Sequence, residues 1–376
     1  DERAPGDPLV LGRDERRAAF EGLDAEKAAL LERTAERIGR FAEAQRDAIK
    51  DVDMPIPGGR AGHTVVPVES AGCYAPAGRY PLPSSALMTA VTARVAGCSR
   101  VVVASPGAAP VMLASAHVAG ANEFLAVGGA QAVAALAHGF DGLAPCDVIA
   151  GPGNKWVTAA KQIVSGVVGI DMLAGPSELL VIADGSADPS HVAADLLAQA
   201  EHDEDAVPML VTTSRSLADA VESELGRQLR TLPTRETAQA ALRNGFVCVA
   251  ASRDEVRRVA DQIAAEHVEV MVEDAEDFAH SLRNAGALFI GARSAEVFGD
   301  YGAGPNHTLP TGGAARHHAG LSVGAFLRLR AWLRIDDTPR ARELCEDASA
   351  LAEIEGLHGH GVAVSARVPP RRAPTS

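Results

Sequence analysis

Residues 179–202, LLVIADGSADPSHVAADLLAQAEH, show most directly how this chain folds. Their first five residues form an apolar run with the length and composition of a buried strand. A run with apolar residues at helical spacing then leads to Ala200-Glu201-His202. A strand that passes straight into a helix is one half of a βαβ unit, so this stretch predicts a parallel sheet covered by helices.

Similar apolar runs alternate with helical segments on both sides of this stretch. The runs are VVVAS after Arg100, EFLAV, DVIA, IDML after Gly169, PMLVTTS, FVCVA, VEVMV and ALFIG. We therefore predict an α/β fold with two similar Rossmann-like parallel-sheet domains plus helical N-terminal and C-terminal extensions. FVCVAAS also leads through a helical segment to a Glu-His pair, Glu266-His267. Both pairs, Glu201-His202 and Glu266-His267, are predicted to lie at the C-terminal end of a helix. This echo indicates either an internal duplication or a coincidence.

The predicted organisation has four parts. Apolar residues at helical spacing on a charged background predict helices over residues 14–50. The glycine-rich stretch at 300–322, DYGAGPNHTLPTGGAARHHAGLS, is too long for a simple connector and is predicted to be a site loop, with a helix after it at Arg340–Glu355. The parts are a helical N-terminal arm at 1–60, a first α/β domain at 61–174, a second at 175–298, and the site loop with a C-terminal helical extension at 299–376.

Composition and charge exclude several classes of protein. The 376 residues are 47% hydrophobic and 22% charged, which is typical of a folded enzyme and not of a disordered or coiled-coil chain. The 35 basic and 49 acidic residues give a net charge of −14, which disfavours nucleic acid and membranes as partners. Five scattered cysteines without a CxxC pair, and a charged start from Asp1 to Arg13, predict a cytoplasmic protein.

Two glycine-containing segments follow predicted strands. GGAQA at 128–132 and GPGN at 151–154 each lie between an apolar run and a helical run, where backbone N–H groups can bind an anion. Ordinary tight turns explain such segments at least as well. Neither a GxxxxGK[ST] nor a GxGxxG motif occurs, so the usual motifs do not predict nucleotide binding.

The histidines and acids point to a metal or acid–base site. Gln199 and His202 stand three apart on a predicted helix and therefore share one face. With other nitrogen and oxygen donors they would suit zinc if the fold brings them together. Taken singly, each histidine is more often an ordinary surface or core residue. The further candidate donors are Asp300, His307, His358 and His360.

Glu266 and His267 adjoin the apolar run VEVMV at a helix-to-strand junction. Such a pair can deprotonate an alcohol and then a water, because imidazole titrates near neutral pH and desolvation raises the pKa of a carboxyl group. A histidine favoured at a helix end by the helix dipole is an equally good interpretation.

Eight segments of the chain resemble the motifs of histidinol dehydrogenases, in the same order and at similar spacing. They are AGCYAPAGRYPLPSSALM, VGGAQAVAALAHG, AGPGNKWV, LAGPSELLVIAD, VAADLLAQAEH, AAEHVEV, GDYGAGPNHTLPT and EGLHGH. The resemblance extends from about Val66 to Arg367, and the chain is identified as a member of this family.

The resemblance implies roles for the residues that match motif positions. The implied zinc ligands are Gln199, His202, Asp300 and His360, with His360 supplied by the neighbouring subunit of a homodimer that exchanges its C-terminal segment. The implied acid–base pair is Glu266 and His267. The implied NAD contacts are Tyr74, Gln131 and Asn154. The implied substrate contacts are Ser84, Ser177, Gln199, His202, Glu266, His267, Asp300, His307, Glu355 and His360.

The implied reaction oxidises a primary alcohol, with L-histidinol as the leading substrate, through a retained aldehyde to the carboxylate, with two hydride transfers to NAD. Zinc would hold the substrate while His267 takes the hydroxyl proton and Glu266 helps to activate water. The segment Gly302–Gly304 is expected to form a wall that retains the aldehyde.

The chain also departs from the family pattern. Ala77 stands where a second glycine is common, the run Arg79–Pro83 differs, and the leading segment is shorter. GCY, GRYP and NHTLP are similar to a sister group that oxidises sulfopropanediol, so Arg79 is predicted to face a sulfonate if the substrate is an anionic diol. The alternatives from other classes are a zinc hydrolase that uses Glu266 without NAD, and a degenerate binding protein.

Overall fold

The computed structural model describes residues 6–77 and 80–367. Arg79, on which the anionic-diol alternative rests, lies outside these residues. The chain forms two compact units: one combines the chain up to Arg46 with Val68–Phe326, and the other combines Asp47–Pro67 with the chain from Leu327 onward. The division into four domains stays a prediction.

The described helices and strands follow one another in α/β alternation through most of the first unit. The helices are α1 Arg13–Glu21, α2 Ala25–Ala48, α3 Pro83–Ala96, α4 Pro110–Val118, α5 Gly129–His138, α6 Lys155–Val164, α7 Pro189–Ala200, α8 Arg215–Leu229, α9 Arg235–Ala241, α10 Arg253–Ile263, α11 Ala275–Ser281, α12 Val297–Asp300, α13 Arg342–Ile354 and α14 His358–Ser365. The strands are β1 Val10–Leu11, β2 Val52–Ile56, β3 Gly59–Pro67, β4 Ser70–Tyr74, β5 Arg100–Ala104, β6 Glu123–Leu125, β7 Val148–Ala150, β8 Gly169–Ile170, β9 Glu178–Ala183, β10 Val207–Thr212, β11 Phe246–Val249, β12 His267–Met271, β13 Ala287–Ile290 and β14 Leu327–Ile335. Within the described ranges, none of these helices has both the length and the apolar character that crossing a bilayer requires.

The two parallel sheets confirm the predicted fold class. The first sheet has the strand order β1-β6-β5-β4-β7-β8, and its strands are parallel except for β1 at one edge. The second sheet has the order β11-β10-β9-β12-β13 and is parallel throughout. The parallel strands of the two sheets, β6-β5-β4-β7-β8 and β11-β10-β9-β12-β13, are arranged in the same way. In each sheet the first strand in the sequence, β4 or β9, is central, and the direction of the strand order reverses beside it. The predicted strand after Gly169 is shorter than expected and ends at Ile170.

The strands are apolar on both faces because helices cover both sides of each sheet. In β9, Leu179 and Val181 pack in one buried cluster with Leu196 of α7. Leu180 and Ile182 point to the opposite face and pack in a second buried cluster. Strand residues alternate between faces, so a strand covered on both sides reads as a continuous apolar run.

The N-terminal helices match the helical pattern of residues 14–50. Leu31, Ile38 and Ala42 of α2 are buried, and their spacing places them on one face of the helix. The predicted helix over Arg340–Glu355 is present as α13.

The second unit contains a sheet that the sequence analysis does not predict. In this unit β3 pairs antiparallel with both β2 and β14. In β14, LRLRAWLRI, leucines alternate with arginines, but most of its residues are exposed in this chain. The leucines of β14 therefore do not form a buried face. The parallel strands were predictable because they are continuous, buried apolar runs, and β14 is not such a run.

A substitution of Arg16 tests how α1 is anchored, because the buried Arg16 side chain donates hydrogen bonds to three backbone carbonyls. It donates to Gly12 at 2.9 Å, to Asn122 at 2.7 Å and to Ala121. We expect Arg16→Met to lower the free energy of unfolding by about 2–4 kcal/mol, because buried carbonyls lose charged donors. Arg17→Met is the matched control: Arg17 is exposed, so urea unfolding should show a loss below about 0.5 kcal/mol. Equal losses in the two variants would contradict the anchoring role.

Candidate active site

The pairing of β9 with β12 assembles the predicted acid–base pair. These strands are parallel neighbours, and His267 lies opposite Leu179 in the register. Their amino ends therefore lie side by side and bring Ser177 and Glu178 to Glu266 and His267. The helix α7 runs back from the carboxyl end of β9 to this amino edge.

Glu266 is a buried carboxyl group held by two donors. Its Oε2 accepts hydrogen bonds from the Ser177 hydroxyl at 2.7 Å and from the Glu178 backbone N–H at 2.9 Å. Burial raises the pKa of Glu266 to about 8, and these two hydrogen bonds oppose that shift without cancelling it. The side chain is therefore a weak acid that becomes a base as pH rises through about 8.

His267 is buried and has one ring nitrogen without a partner. Its Nδ1 lies 3.1 Å from the Glu178 backbone oxygen, and because a carbonyl only accepts, Nδ1 carries the hydrogen. Nε2 is then the unprotonated nitrogen, and it is buried with no hydrogen-bond partner. Burial lowers the pKa of His267 to about 4, so the ring is neutral and its Nε2 is available as a base.

Asp300 connects His267 to a cluster of candidate metal ligands. His202 Nε2 lies 3.6 Å from Asp300 Oδ2, and His267 Nε2 lies 3.9 Å from Asp300 Oδ1. Ligand atoms of His202, Asp300 and Glu296 all lie within 4.8 Å of one another. Nitrogen and oxygen donors at such distances fit a zinc ion or a similar divalent cation.

Gln199, three residues before His202, has an unusual environment. It is fully buried on α7, and neither its side-chain oxygen nor its side-chain nitrogen has a hydrogen-bond partner. A buried amide without partners costs free energy, and a bound ligand would remove that cost. Gln199, His202 and Asp300 are thus a donor set whose chemistry fits a divalent cation.

The glycine-rich loop brings His307 to Asp300 and to α3. His307 Nδ1 lies 3.0 Å from the Asp300 backbone oxygen, and its Nε2 lies 3.3 Å from the Ser85 hydroxyl. Burial lowers the pKa of His307. The predicted contact Ser84 is half-buried at the start of α3.

Glu355 and His360 belong to the second unit. Glu355 directly follows α13, and His360 lies in α14. Both are exposed in this chain. Their predicted roles at the site stay predictions.

The predicted NAD residues lie at the carboxyl edge of the first sheet. Tyr74 ends β4, and its hydroxyl accepts a hydrogen bond from the Gly129 N–H at the start of α5, 3.1 Å away. Gln131 is exposed in the first turn of α5. Asn154 caps α6 by accepting hydrogen bonds from the N–H groups of Trp156 and Val157. The strand order reverses between β4 and β7, which is where parallel α/β sheets commonly bind ligands.

Comparison with known proteins agrees with these motifs. The family model for histidinol dehydrogenase matches residues 2–368. A histidinol dehydrogenase of Parasynechococcus marenigrum (strain WH8102) is 45% identical over 372 residues, which cover 96% of this chain and 84% of that protein. The chain belongs to the histidinol dehydrogenase family. It is therefore an enzyme, a dehydrogenase, and the predicted resemblance is confirmed.

Two further family members match over similar lengths. The histidinol dehydrogenase of Thermus thermophilus is 44% identical over 353 residues, covering 93% of this chain and 85% of that protein. The crystal structure of histidinol dehydrogenase from Elizabethkingia anophelis has a TM-score of 0.91 at 34% identity, covering 96% of this chain and 84% of that one. The histidinol dehydrogenase fold thus extends over nearly the whole chain.

Sequence reasoning misplaced one pair and missed several site residues. Glu266 and His267 do not end a helix: α10 ends at Ile263, two alanines intervene, and His267 begins β12. A helix dipole therefore does not explain this histidine. Glu296 was missed, although its spacing of four from Asp300 is a helical same-face signal. The sequence analysis predicts Ser84 as a site residue and does not predict its neighbour Ser85, which contacts His307.

Glu269 is another missed acid, and its signal was a single carboxylate within the apolar run VEVMV. It is fully buried, and its Oε1 accepts a hydrogen bond from the Glu296 N–H at 2.7 Å. It also contacts Asp195 of α7, which is a hydrogen bond only when one of the two acids carries a proton. Burial raises the pKa of both groups.

The raised pKa of Glu269 predicts how stability depends on pH. Protonation favours the folded state, so this stabilisation is present below about pH 4.5 and is lost as pH rises through the raised pKa. Glu269→Gln keeps an acceptor for the Glu296 N–H without a titrating charge. The free energy of unfolding, measured in urea on metal-free protein, should fall from pH 5 to pH 9 in the wild type. In Glu269→Gln this fall should be smaller by at least about 1 kcal/mol. Glu276 is exposed, so Glu276→Gln is the control and should show the same pH dependence as the wild type. If Glu269→Gln also showed the wild-type pH dependence, the pKa of Glu269 would not be raised.

Proposed function

We propose that this enzyme is zinc-dependent and NAD-linked, and that it oxidises L-histidinol through a retained aldehyde to L-histidine. The observation that carries the proposal is the position of His267: a buried, neutral imidazole directs its unpartnered Nε2 to within 3.9 Å of an oxygen of Asp300. Asp300 in turn belongs to the cluster that can hold a divalent cation. A base beside a cation site suits the deprotonation of a bound alcohol.

The zinc ligands in this proposal come from two subunits of a homodimer. Gln199, His202 and Asp300 supply the donors of one subunit, and the partner subunit's His360 supplies the fourth through an exchanged C-terminal segment. Zinc, when bound, supplies a Lewis acid that orients the amine and imidazole of the substrate. The unpartnered amide of Gln199 is the observation that supports a ligand at this place.

His267 is the base for the oxidation in this proposal. The hydrogen bond from Nδ1 to the Glu178 carbonyl holds the ring in one tautomer and leaves Nε2 to accept the hydroxyl proton. NAD supplies the hydride acceptor. Tyr74, Gln131 and Asn154 are the residues we assign to its binding.

Glu266 is assigned to the step from aldehyde to acid. Its carboxylate form abstracts a proton from the water that attacks the aldehyde. Because burial raises the pKa of Glu266 to about 8, the basic form increases as pH rises through this value. Ser177 and the Glu178 N–H hold one carboxyl oxygen, so the group is already oriented.

Two further elements complete the proposed pocket. Ser84, Ser177, His307 and Glu355 are assigned to substrate contacts, with Ser85 holding His307 in place. The segment Gly302–Gly304 is the wall that retains the aldehyde. The Gly302 carbonyl accepts a hydrogen bond from Arg37 Nε at 2.6 Å, so the segment is anchored to α2. A fixed wall reduces escape of a reactive intermediate.

A substrate panel tests the reaction. Zinc-loaded protein with NAD should form two NADH per L-histidinol consumed, measured by absorbance, and product analysis should find histidine. Oxidation of sulfopropanediol without histidinol would replace the substrate and keep the zinc and acid–base roles. No NADH from any primary alcohol, with hydrolysis of an ester or amide instead, would contradict the dehydrogenase chemistry.

His267→Asn tests the base directly. Asparagine keeps an N–H donor for the Glu178 carbonyl but removes the basic Nε2. Turnover of histidinol should fall by about 10²–10⁴, the usual effect of removing a general base, while zinc content and the unfolding midpoint stay near those of the wild type. The exposed His280→Asn is the matched control and should turn over normally. Full activity of zinc-loaded His267→Asn would reject the role.

Complementation tests the shared metal site. His360→Ala and His202→Ala should each bind zinc weakly and lack activity, because a four-ligand site has lost one protein ligand. Mixed under conditions of subunit exchange, the two variants should regain a fraction of the activity, since one intact ligand set forms in each mixed dimer. Demonstrated exchange without recovered activity would show that each chain builds its own site.

A further inference from the structure

A buried ion pair lies beneath the GPGN segment and has no role in the chemistry above. Lys161 of α6 contacts the carboxylate of Asp171, which directly follows β8. The two side chains are 3% and 0% exposed. Burying two charges costs desolvation free energy, so such a pair persists only with good geometry and additional hydrogen bonds.

The additional hydrogen bonds go mainly to Gly151. Lys161 Nζ donates to the Gly151 carbonyl at 3.0 Å, and Asp171 Oδ2 accepts from the Gly151 N–H at 2.8 Å. Asp171 Oδ1 also accepts from the Met172 N–H at 2.7 Å. The pair therefore binds both the N–H and the carbonyl of one loop residue.

Gly151 is held from its other side as well. Its φ of +126° is a conformation that L side chains rarely adopt. A Cβ at this position would lie 2.0 Å from the backbone oxygen of Tyr74. The loop is thus pressed against the end of β4 on one side and bonded to the ion pair on the other.

The loop that the pair holds is the one we assign to the cofactor. It begins at Gly151, after β7, and ends at Asn154, which caps α6. Lys161 lies two turns further along the same helix. The ion pair therefore connects the helix, the loop that caps it and the strand end beside it.

We propose that Lys161 and Asp171 are positioning residues that preset the Gly151–Asn154 loop for the dinucleotide. This inference rests on the proposed binding of NAD at this edge of the sheet. A loop already held in its binding conformation loses little conformational entropy on binding, which improves affinity without direct contact. The substrate side should be little affected, because Ser177 is held separately by Glu266.

The test is a double variant, Lys161→Met/Asp171→Ala, which removes both charges and so leaves no unpaired one buried. The Kd for NADH, measured by fluorescence, should rise at least tenfold, and the KM for NAD should rise with it. Zinc content and the Kd for histidinol, measured by calorimetry, should stay within twofold. Arg100→Met/Glu123→Ala is the matched control, because it removes an ion pair between β5 and β6 at the opposite edge of the same sheet. Its NADH affinity should stay within twofold of the wild type.

The outcomes separate the inference from the proposed function. Wild-type protein that binds no NADH would overturn the NAD assignment together with the inference. Wild-type binding with an unchanged Kd in the folded double variant would overturn the inference alone. If the double variant does not fold, hydrogen exchange of the wild type decides. The Gly151 amide should be protected before NADH is added, and rapid exchange in the free protein would show that the loop is not preset.

Discussion

The parallel register between β9 and β12 is the constraint on which the candidate site depends. His267 and Glu269 share one face of β12, while Val268 and Val270 pack into the apolar cluster on the other face. A slip of one residue would exchange these faces and place two valines where His267 and Glu269 now lie. The same register sets Glu266 against Ser177 and the Glu178 N–H. A buried strand therefore carries both core packing and chemistry.

Placing these acids together in the interior is electrostatically unfavourable. Burial raises the pKa of Glu266 and Glu296, and Asp300 adds to the rise at both. A neutral His267 and the unpartnered amide of Gln199 do not offset this negative charge. A divalent cation would balance these carboxylates, which supports the proposed metal site.

The two sheets share a strand order but place their candidate sites at opposite ends. In the first sheet the segments that we propose to bind the cofactor lie at the carboxyl ends of β4 and β7, where the order of strands reverses. In the second sheet the proposed acid–base pair lies at the amino ends of β9 and β12. At each place a buried polar group holds a short segment: Asp171 binds Gly151, and Glu266 binds Ser177.

The sequence by itself determined the parallel strands, the helices between them and the family, because apolar periodicity and local motifs depend on neighbouring residues. It also named Gln199, His202, Asp300 and the pair Glu266-His267. Only the tertiary structure decided that Glu296 joins the cluster and that Ser85 contacts His307. The sheet of β2, β3 and β14 likewise escaped prediction: most residues of β14 are exposed, and β14 pairs with a strand about 260 residues earlier in the chain. The contact of Ser85 with His307 and the pairing of β14 with β3 join residues more than 200 positions apart, and such separations carry no periodic signal, so these contacts follow from the folded arrangement alone.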